Sequence, residues 1–182
     1  MVAIDPVKNP ADVLKATLPG AVQDVVEFAG ETTLVVDPKQ IIPVMRVLRD
    51  TPGLIFNFMS DVSAVDYWEP GGVYDRPGRF AVSYHLYSML YNVRLRVKVY
   101  LDEDEPEVET VCGIWPAANW LEREAMDLMG ITFLNHPDPR RLLMPDDWNG
   151  HPHRRDTPLG YEIVQFSFNA DEIMKHKPFV EE

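Results

Sequence analysis

The sequence predicts an α+β fold in which one domain with a mixed, mostly antiparallel sheet is followed by an extended C-terminal tail. Apolar and polar residues alternate over residues 92–101, which is the two-residue period of a half-buried strand. Residues 116–129 place apolar residues at helical spacing, and the runs before them follow the order α-β-β-α-β-β-β. Both periods vanish after about residue 133. We therefore expect a domain over residues 1–133 and an extended segment over residues 134–182.

The first four elements are short: a helix, a hairpin of two strands and a second helix. A Pro-Gly pair ends the first helix, and an Ala-Gly-Glu turn joins the two strands. Asp37 and Pro38 are typical of a helix start, so they begin the second helix, whose apolar face consists of Ile41, Ile42, Met45 and Leu48. These elements are predicted over residues 12–18, 22–28, 32–36 and 38–49.

Three longer strands and a final helix complete the domain. The strands are predicted over residues 54–63, 80–88 and 92–101, with an irregular loop rich in glycine and proline at residues 69–79 and a hairpin between the last two strands. The final helix covers residues 116–129 and stops at Gly130, a residue type that ends helices in the left-handed conformation. Arg123 and Asp127 lie four residues apart on it. We expect them to pair, which stabilises a helix by about 0.2–0.5 kcal/mol.

Composition excludes several classes of function. With 17 basic and 29 acidic residues the net charge is −12, which argues against binding to nucleic acid or to an acidic membrane surface. No apolar run approaches the roughly 18 residues of a spanning helix. The N-terminus does not resemble a secretory signal, so we expect a cytoplasmic protein unless a partner carries it to a membrane. Cys112 is the only cysteine, which excludes an intrachain disulfide and a four-cysteine iron–sulfur or zinc site.

The segment from His136 to Thr157 has no periodic structure, yet it is not the composition of a solvated tail. It is rich in proline, aspartate, arginine and histidine and still contains Leu142 and Trp148. We expect it to take its shape from a neighbouring protein and to be sensitive to proteases in the isolated chain. Residues 161–168 alternate like a strand that could add to the edge of a neighbour's sheet.

The polar residues of this region allow several kinds of chemistry. His151 and His153 lie two residues apart and could share a metal ion, but Pro152 lies between them and no third ligand has a diagnostic spacing. The pairs Arg140-Arg141 and Arg154-Arg155 are balanced by nearby aspartates, which favours ion pairs between subunits over the capture of an anion. The preceding helix contains the acids Glu122, Glu124 and Asp127. We expect them to form surface salt bridges, with one acid turned inward, rather than an acid–base centre.

Residues 118–131, which read ANWLEREAMDLMGI, resemble the signature of the 30 kDa subunit family of respiratory complex I, the C-type subunit of bacterial NADH:quinone oxidoreductase. The resemblance continues to residue 159. It departs from the family mildly at Pro139, Arg155 and Thr157. The matching positions that we take as the family motif and candidate partner interface are Glu122, Arg123, Glu124, Asp127, Gly130, His136, Pro137, Asp138, Arg140, Arg141, Pro145, Asp147, Trp148, Arg154, Arg155 and Asp156.

The resemblance implies a non-catalytic structural and assembly subunit in the hydrophilic arm of a proton-pumping NADH:quinone oxidoreductase. Such a protein is peripheral at the cytoplasmic face of the cell membrane, without direct membrane insertion. It binds no cofactor itself, since FMN and the iron–sulfur clusters lie in partner subunits. Its partners are other complex I subunits, chiefly the 49 kDa-type (D-type) subunit near the quinone site and the cluster-bearing (B-type) subunit of that site.

Three alternatives stay open at this point. Related subunits occur in membrane-bound hydrogenases and in quinone reductases that take electrons from ferredoxin or a deazaflavin, so the resemblance does not identify the electron donor. A stand-alone metal-dependent hydrolase using the His/Asp segment is the alternative from a different class. A free adaptor that binds several partners is the third.

Overall fold

The computed structural model describes residues 6–69 and 76–157. Its α-helices and strands are α1 (Pro10–Thr17), β1 (Val22–Phe28), β2 (Glu31–Val36), α2 (Ile41–Asp50), β3 (Phe58–Asp66), β4 (Phe80–Ser88), β5 (Val93–Leu101), β6 (Glu107–Glu109), α3 (Ala118–Met129) and β7 (Thr132–Leu134). The turn predicted to begin the second helix, Pro38–Gln40, is a short 3-10 helix capped by Asp37, and α2 follows it. The predicted order of elements is confirmed, and the short strands β6 and β7 are additional. None of the described helices has the length and hydropathy that crossing a bilayer requires.

The five long strands form one sheet in the spatial order β1-β2-β5-β4-β3. Strands β2 and β5 are parallel, and the other three neighbouring pairs are antiparallel. Strands β6 and β7 form a separate parallel pair. The α+β class with a mixed, mostly antiparallel sheet is therefore confirmed.

Strand β3 begins four residues later than the sequence predicts. The end of α2 explains the delay, because it uses the backbone of the residues that follow it. The N–H groups of Leu54 and Ile55 donate to the carbonyl of Thr51, and that of Phe56 donates to Leu48 at 3.0 Å. These groups satisfy helix carbonyls that would otherwise lack partners, so they are not free for pairing in the sheet.

Helices α1 and α2, together with the buried side of α3, cover one face of the sheet and build the core. Leu14, Val44 and Leu48 are fully buried, and the strands contribute alternate residues such as Val82 and Val97 to the same cluster. The remaining described segment, residues 136–157, contains no helix or strand and is called the strap below.

Candidate functional site

The strap caps the C-terminal end of helix α3. A helix leaves its last carbonyl groups without partners inside the helix. Here His151 Nδ1 lies 2.9 Å from the carbonyl oxygen of Asp127, and the N–H of His153 donates to the next carbonyl at 3.0 Å. Arg154 Nε donates to the carbonyl of Met129 at 2.8 Å. A guanidinium at this end also opposes the negative end of the helix dipole, so the strap stabilises the helix that it covers.

Gly130 makes this close approach possible. Its φ of +71° is left-handed, and its N–H donates to the carbonyl of Met126, so it ends the helix as the sequence predicts. A Cβ atom at this position would collide with the side chains of His151 and Arg154. The residue is therefore required both by its backbone conformation and by the contact with the strap.

Asp127 anchors the middle of the strap. Its carboxylate is only 1% exposed, and Oδ2 accepts the N–H groups of residues 142–144 at 3.0, 2.7 and 2.9 Å. Arg141 Nη1 lies 3.2 Å from Oδ1. Burial alone would disfavour the charge, but the three N–H groups and the guanidinium outweigh it and hold the pKa of Asp127 below its usual range. The carboxylate is thus ionised and saturated with donors from its own chain.

Arg123 holds the start of the strap from the same helix. It donates to the backbone carbonyls of Arg140 at 2.9 Å and Arg141 at 3.1 Å, and its Nη1 lies 3.2 Å from Asp138 Oδ2. The predicted pair between Arg123 and Asp127 is therefore wrong. The strap lies against this helix face and offers both residues better partners than each other.

Glu122 lies on the opposite, inward side of α3 and is completely buried. Its carboxylate accepts the N–H of Val111 at 2.9 Å, the hydroxyl of Thr110 and the thiol of Cys112 at 3.3 Å. Burial raises the pKa of Glu122 above its ordinary value, although these donors oppose the shift. Two acids of the helix are thus buried, Glu122 on the core side and Asp127 under the strap, where the sequence predicted one.

The group formed by Cys112, Glu122 and His136 has the residue types of a zinc site, and its possible ligand atoms lie within 4.8 Å of one another. The hydrogen bonds of His136 argue against that use. Its Nδ1 accepts the N–H of Asp138 at 3.0 Å, so the proton of a neutral ring is on Nε2, which faces the carbonyl of Asn119 at 3.2 Å. A metal ligand needs a lone pair at that nitrogen. We interpret the group as a hydrogen-bonded structural cluster.

A second cluster fixes the end of the strap to the sheet. Arg79 is 3% exposed and pairs with three carboxylates: Asp66 at 3.0 Å, Glu103 at 2.7 Å and Asp156 at 2.8 Å. The backbone N–H of Arg155 donates to Asp66 at 2.9 Å. Burial alone would raise the pKa of Asp66, but Arg79 and the backbone donors outweigh it and lower the pKa. No motif spacing marks this cluster in the sequence, because its members are far apart along the chain.

Arg141 and Arg154 bind groups of their own chain, the carboxylate of Asp127 and the carbonyl groups at the end of α3, and ion pairs between subunits stay a prediction. Arg140 pairs with Asp138 at 2.5 Å and keeps 78% of its side chain exposed. Over the described residues the strap is bound to α3 and to the sheet of its own chain. The motif residues that stay on the surface are Glu124, Pro137, Arg140, Pro145, Asp147, Arg155 and Asp156, with Trp148 half-buried.

Two large apolar side chains stand out on the surface that α3 and the strap make together. Trp120 is 63% exposed and lies under the guanidinium of Arg123, 5.4 Å from its ring centre. Leu143, in the strap beside Asp127, is 60% exposed. Trp120 and Asp127 are seven residues apart, so they lie on one helix face about two turns apart. We call the surface around Trp120, Glu124 and Leu143 the α3–strap surface.

Comparison with known sequences gives a consistent result. Residues 34–162 match the family model described as "Respiratory-chain NADH dehydrogenase, 30 Kd subunit". The chain is 47% identical over 169 residues to the C-type subunit of NADH-quinone oxidoreductase from Roseiflexus sp. (strain RS-1), covering 93% of this chain and 94% of the relative. It is 45% identical over 146 residues to the protein of the same name from Geotalea uraniireducens (strain Rf4), covering 80% and 84%.

Two solved structures resemble the fold. The chain described as "Nqo5 of the trypsin-resistant fragment (1-134) in P63 form" is 34% identical with a TM-score of 0.57, and the match covers 63% of this chain and 88% of that one. A chain of the membrane-bound sulfane sulfur reductase, described as an archaeal respiratory membrane complex, has a TM-score of 0.65 over 94% of this chain and 93% of its own. At 21% identity the second match is evidence of the fold alone.

Proposed function

The chain belongs to the respiratory-chain NADH dehydrogenase 30 kDa subunit family, and from that premise we propose that it is a structural subunit of the hydrophilic arm of a proton-pumping NADH:quinone oxidoreductase. In this role it packs against the 49 kDa-type subunit near the quinone site, with the cluster-bearing quinone-site subunit as a further neighbour. FMN and the iron–sulfur clusters belong to partner subunits. The protein is peripheral at the cytoplasmic face of the membrane.

The saturation of the motif's charged groups carries this proposal. Asp127, Arg123 and Arg154 make their hydrogen bonds to the backbone of the strap or of α3. A general acid or base needs a free proton position within reach of a substrate. Carboxylates and guanidiniums whose polar atoms are bound to backbone groups are suited instead to hold an irregular segment in one shape.

The α3–strap surface is the part of the molecule that we assign to the partner. Residues that dominate binding energy at protein interfaces are most often aromatic or arginine side chains, surrounded by contacts that exclude water. Trp120 has this character, because it is largely exposed and its ring is already fixed by Arg123. The exposed guanidinium of Arg140 lies at the edge of the same surface. We therefore assign the partner-facing role to Trp120, Leu143 and Arg140.

We also propose that residues 134–182 together form the partner-wrapping segment, in which the strap is the portion held by α3. The predicted strand at residues 161–168 lies outside the described residues. The solved relative is described as a trypsin-resistant fragment, which supports a division into a resistant domain and a cleavable remainder in that protein.

Replacing Trp120 with alanine tests the proposal. In a purified complex we expect the variant to lose its stoichiometric association with the 49 kDa-type subunit, because truncating an interface anchor weakens binding by about 2–4 kcal/mol. Val7, which is 58% exposed and far from α3 in sequence, supplies the matched control Val7→Ala. If the Trp120 variant assembled like the control while turnover per complex fell, the structural role would be wrong. Stoichiometric metal resisting dialysis would favour the hydrolase alternative.

A second candidate is the equivalent subunit of a ferredoxin-, deazaflavin- or hydrogenase-linked complex. The match with a chain of the sulfane sulfur reductase shows that the same fold occurs in another respiratory membrane complex, so the fold does not decide between the two candidates. The purified complex separates the two candidates. Oxidation of NADH with reduction of a quinone supports the leading proposal, whereas oxidation of reduced ferredoxin without NADH activity supports the second.

A further inference from the structure

One face of the five-stranded sheet points away from the core that α1 and α2 build. Side chains alternate between the two faces of a strand, so residues that alternate with the buried ones share this second face. The register aligns them in rows that cross the sheet from β5 through β4 to β3. One row contains Arg94, Tyr87 and Phe58, and the next contains Arg96, His85 and Asp61. We call this surface the open face.

Strand β5 places three cations along the middle of the open face. Arg94, Arg96 and Lys98 occupy alternate positions on it. Arg96 pairs with Glu31 at 2.6 Å, and Lys98 Nζ lies 3.1 Å from the hydroxyl of Tyr67. Within the described ranges, Arg94 and Lys98 form no ion pair with a carboxylate. A row of cations is unexpected on a chain whose net charge is −12.

Large apolar side chains flank this row. On one side Val26 and Phe28 of β1 are 44% and 80% exposed, and on the other Phe58 and Val65 of β3 are 48% and 39% exposed. An antiparallel sheet can leave one face in water, but that face is then normally polar. Exposed apolar residues gathered on one surface with charges among them are typical of a protein interface. The open face therefore has the composition of a surface that is covered in the assembled protein.

We propose that the open face binds an acidic segment of a neighbouring subunit of the same complex, with carboxylates at Arg94 and Lys98 and an apolar side chain beside Phe58. The inference rests on the proposed function, since the neighbour belongs to that complex. It adds a second interface to the α3–strap surface, so that the chain lies between two partners.

Charge complementarity selects this occupant over a second copy of the chain. A two-fold dimer through the open face would bring the row of Arg94, Arg96 and Lys98 against its own copy, and like charges across an interface cost several kcal/mol. A nucleic acid or an anionic membrane would meet the carboxylates of Glu31, which pairs with Arg96, and of Asp61, which lies in the same row as Arg96. A protein segment with spaced carboxylates can avoid these and reach the two cations that pair with no carboxylate in the described ranges.

Hydroxyl-radical footprinting of the isolated chain and of the purified complex tests the proposal. Phe56, which is 1% exposed, is the internal reference for a buried ring. On assembly we expect labelling of Phe28 and Phe58 to fall to the level of Phe56. Unchanged labelling of both rings, with Trp120 protected, would overturn this inference and leave the proposed function intact. If Trp120 also stayed fully labelled, the proposed function would fail together with this inference.

The charge of the partner is tested by Arg94→Glu, with Lys15→Glu on the exposed side of α1 as the matched control. We expect the Arg94 variant in the purified complex to regain labelling of Phe58 at a lower salt concentration than the control does. Equal behaviour of the two variants would overturn the proposal that an acidic segment binds the open face. Self-association of the isolated chain through the open face in sedimentation would also overturn it, and so would binding of the isolated chain to phosphatidylglycerol vesicles that protects Phe58.

Discussion

Replacing Asp127 with asparagine tests whether a buried charge holds the strap. The N–H groups of residues 142–144 all donate to Oδ2, and Arg141 lies beside Oδ1. Asparagine preserves the shape and can keep its oxygen at the Oδ2 position. Its NH2 group then faces the guanidinium of Arg141, and neither group has an acceptor to offer.

The magnitude follows from these contacts. A hydrogen bond to a charged group contributes about 1.5–3 kcal/mol, against about 0.5–1.5 kcal/mol for a neutral one. Neutralising the acceptor of three bonds therefore removes about 1 kcal/mol from each, and the exposed part of the Arg141 pair adds at most about 1 kcal/mol. Allowing for relaxation, we expect Asp127→Asn to lower the free energy of strap attachment by about 2–4 kcal/mol.

Limited trypsin digestion measures this quantity, because the strap contains arginines and a small amount of protease reports the population of the detached state. A loss of about 2–4 kcal/mol raises that population about 30- to 700-fold. Glu124→Gln, an exposed neutralisation on the same helix, is the matched control. If Asp127→Asn were cleaved within the strap at the rate of the control, the buried charge would not be what holds the strap.

Three further predictions follow from the contacts around α3. Burial raises the pKa of Glu122 in the folded chain. The contribution of the protonated side chain to the free energy of unfolding is therefore fully present below the unfolded pKa of about 4.3, and it is lost as the pH rises through the higher folded pKa. Glu122→Gln should therefore flatten the fall of the unfolding free energy above that pH in urea titrations, and equal slopes would contradict the assignment. Gly130→Ala should destabilise the chain by more than Gly20→Ala in the same urea titrations, and equal losses would mean that the strap does not press on this position. Both residues have positive φ, which costs alanine about 1–2 kcal/mol, but only at Gly130 does the new Cβ meet the strap. Burial and the nearby charge of Glu122 raise the pKa of Cys112 to about 11, so alkylation at pH 8 should be about a hundredfold slower than in the unfolded chain, and a rate near that of the unfolded chain would refute the packing.

The fold was predictable because its signals are local. The alternation along β5, the turn residues between strands and the glycine after α3 each depend on a few neighbouring residues, and the structure confirms them. The start of β3 was not predictable in this way. Its position depends on hydrogen bonds between the backbone after α2 and the carbonyls of the helix, which no periodic pattern records.

The candidate site was predictable as a block of residues but not as a set of partners. The charge balance of arginine and aspartate suggested ion pairs, and the helical spacing suggested a pair between Arg123 and Asp127. The structure instead joins Arg123 to backbone carbonyls of the strap and Asp127 to its N–H groups. Trp120 was not among the predicted interface residues, although it had a usable signal: it lies three residues before Arg123 and seven before Asp127, on the polar side of the helix.

The sequence by itself determined the class of the fold, the helix and its stop at Gly130, and the family, because periodicity, turn residues and a long motif are properties of order along the chain. Only the tertiary structure decided what the charged residues do. A carboxylate can bind a partner, a metal ion or the backbone of its own chain, and the choice depends on which donors folding brings within about 3 Å. In this chain folding brings the strap onto α3, so those charges stabilise a shape, while Trp120 and the apolar residues of the open face stay exposed.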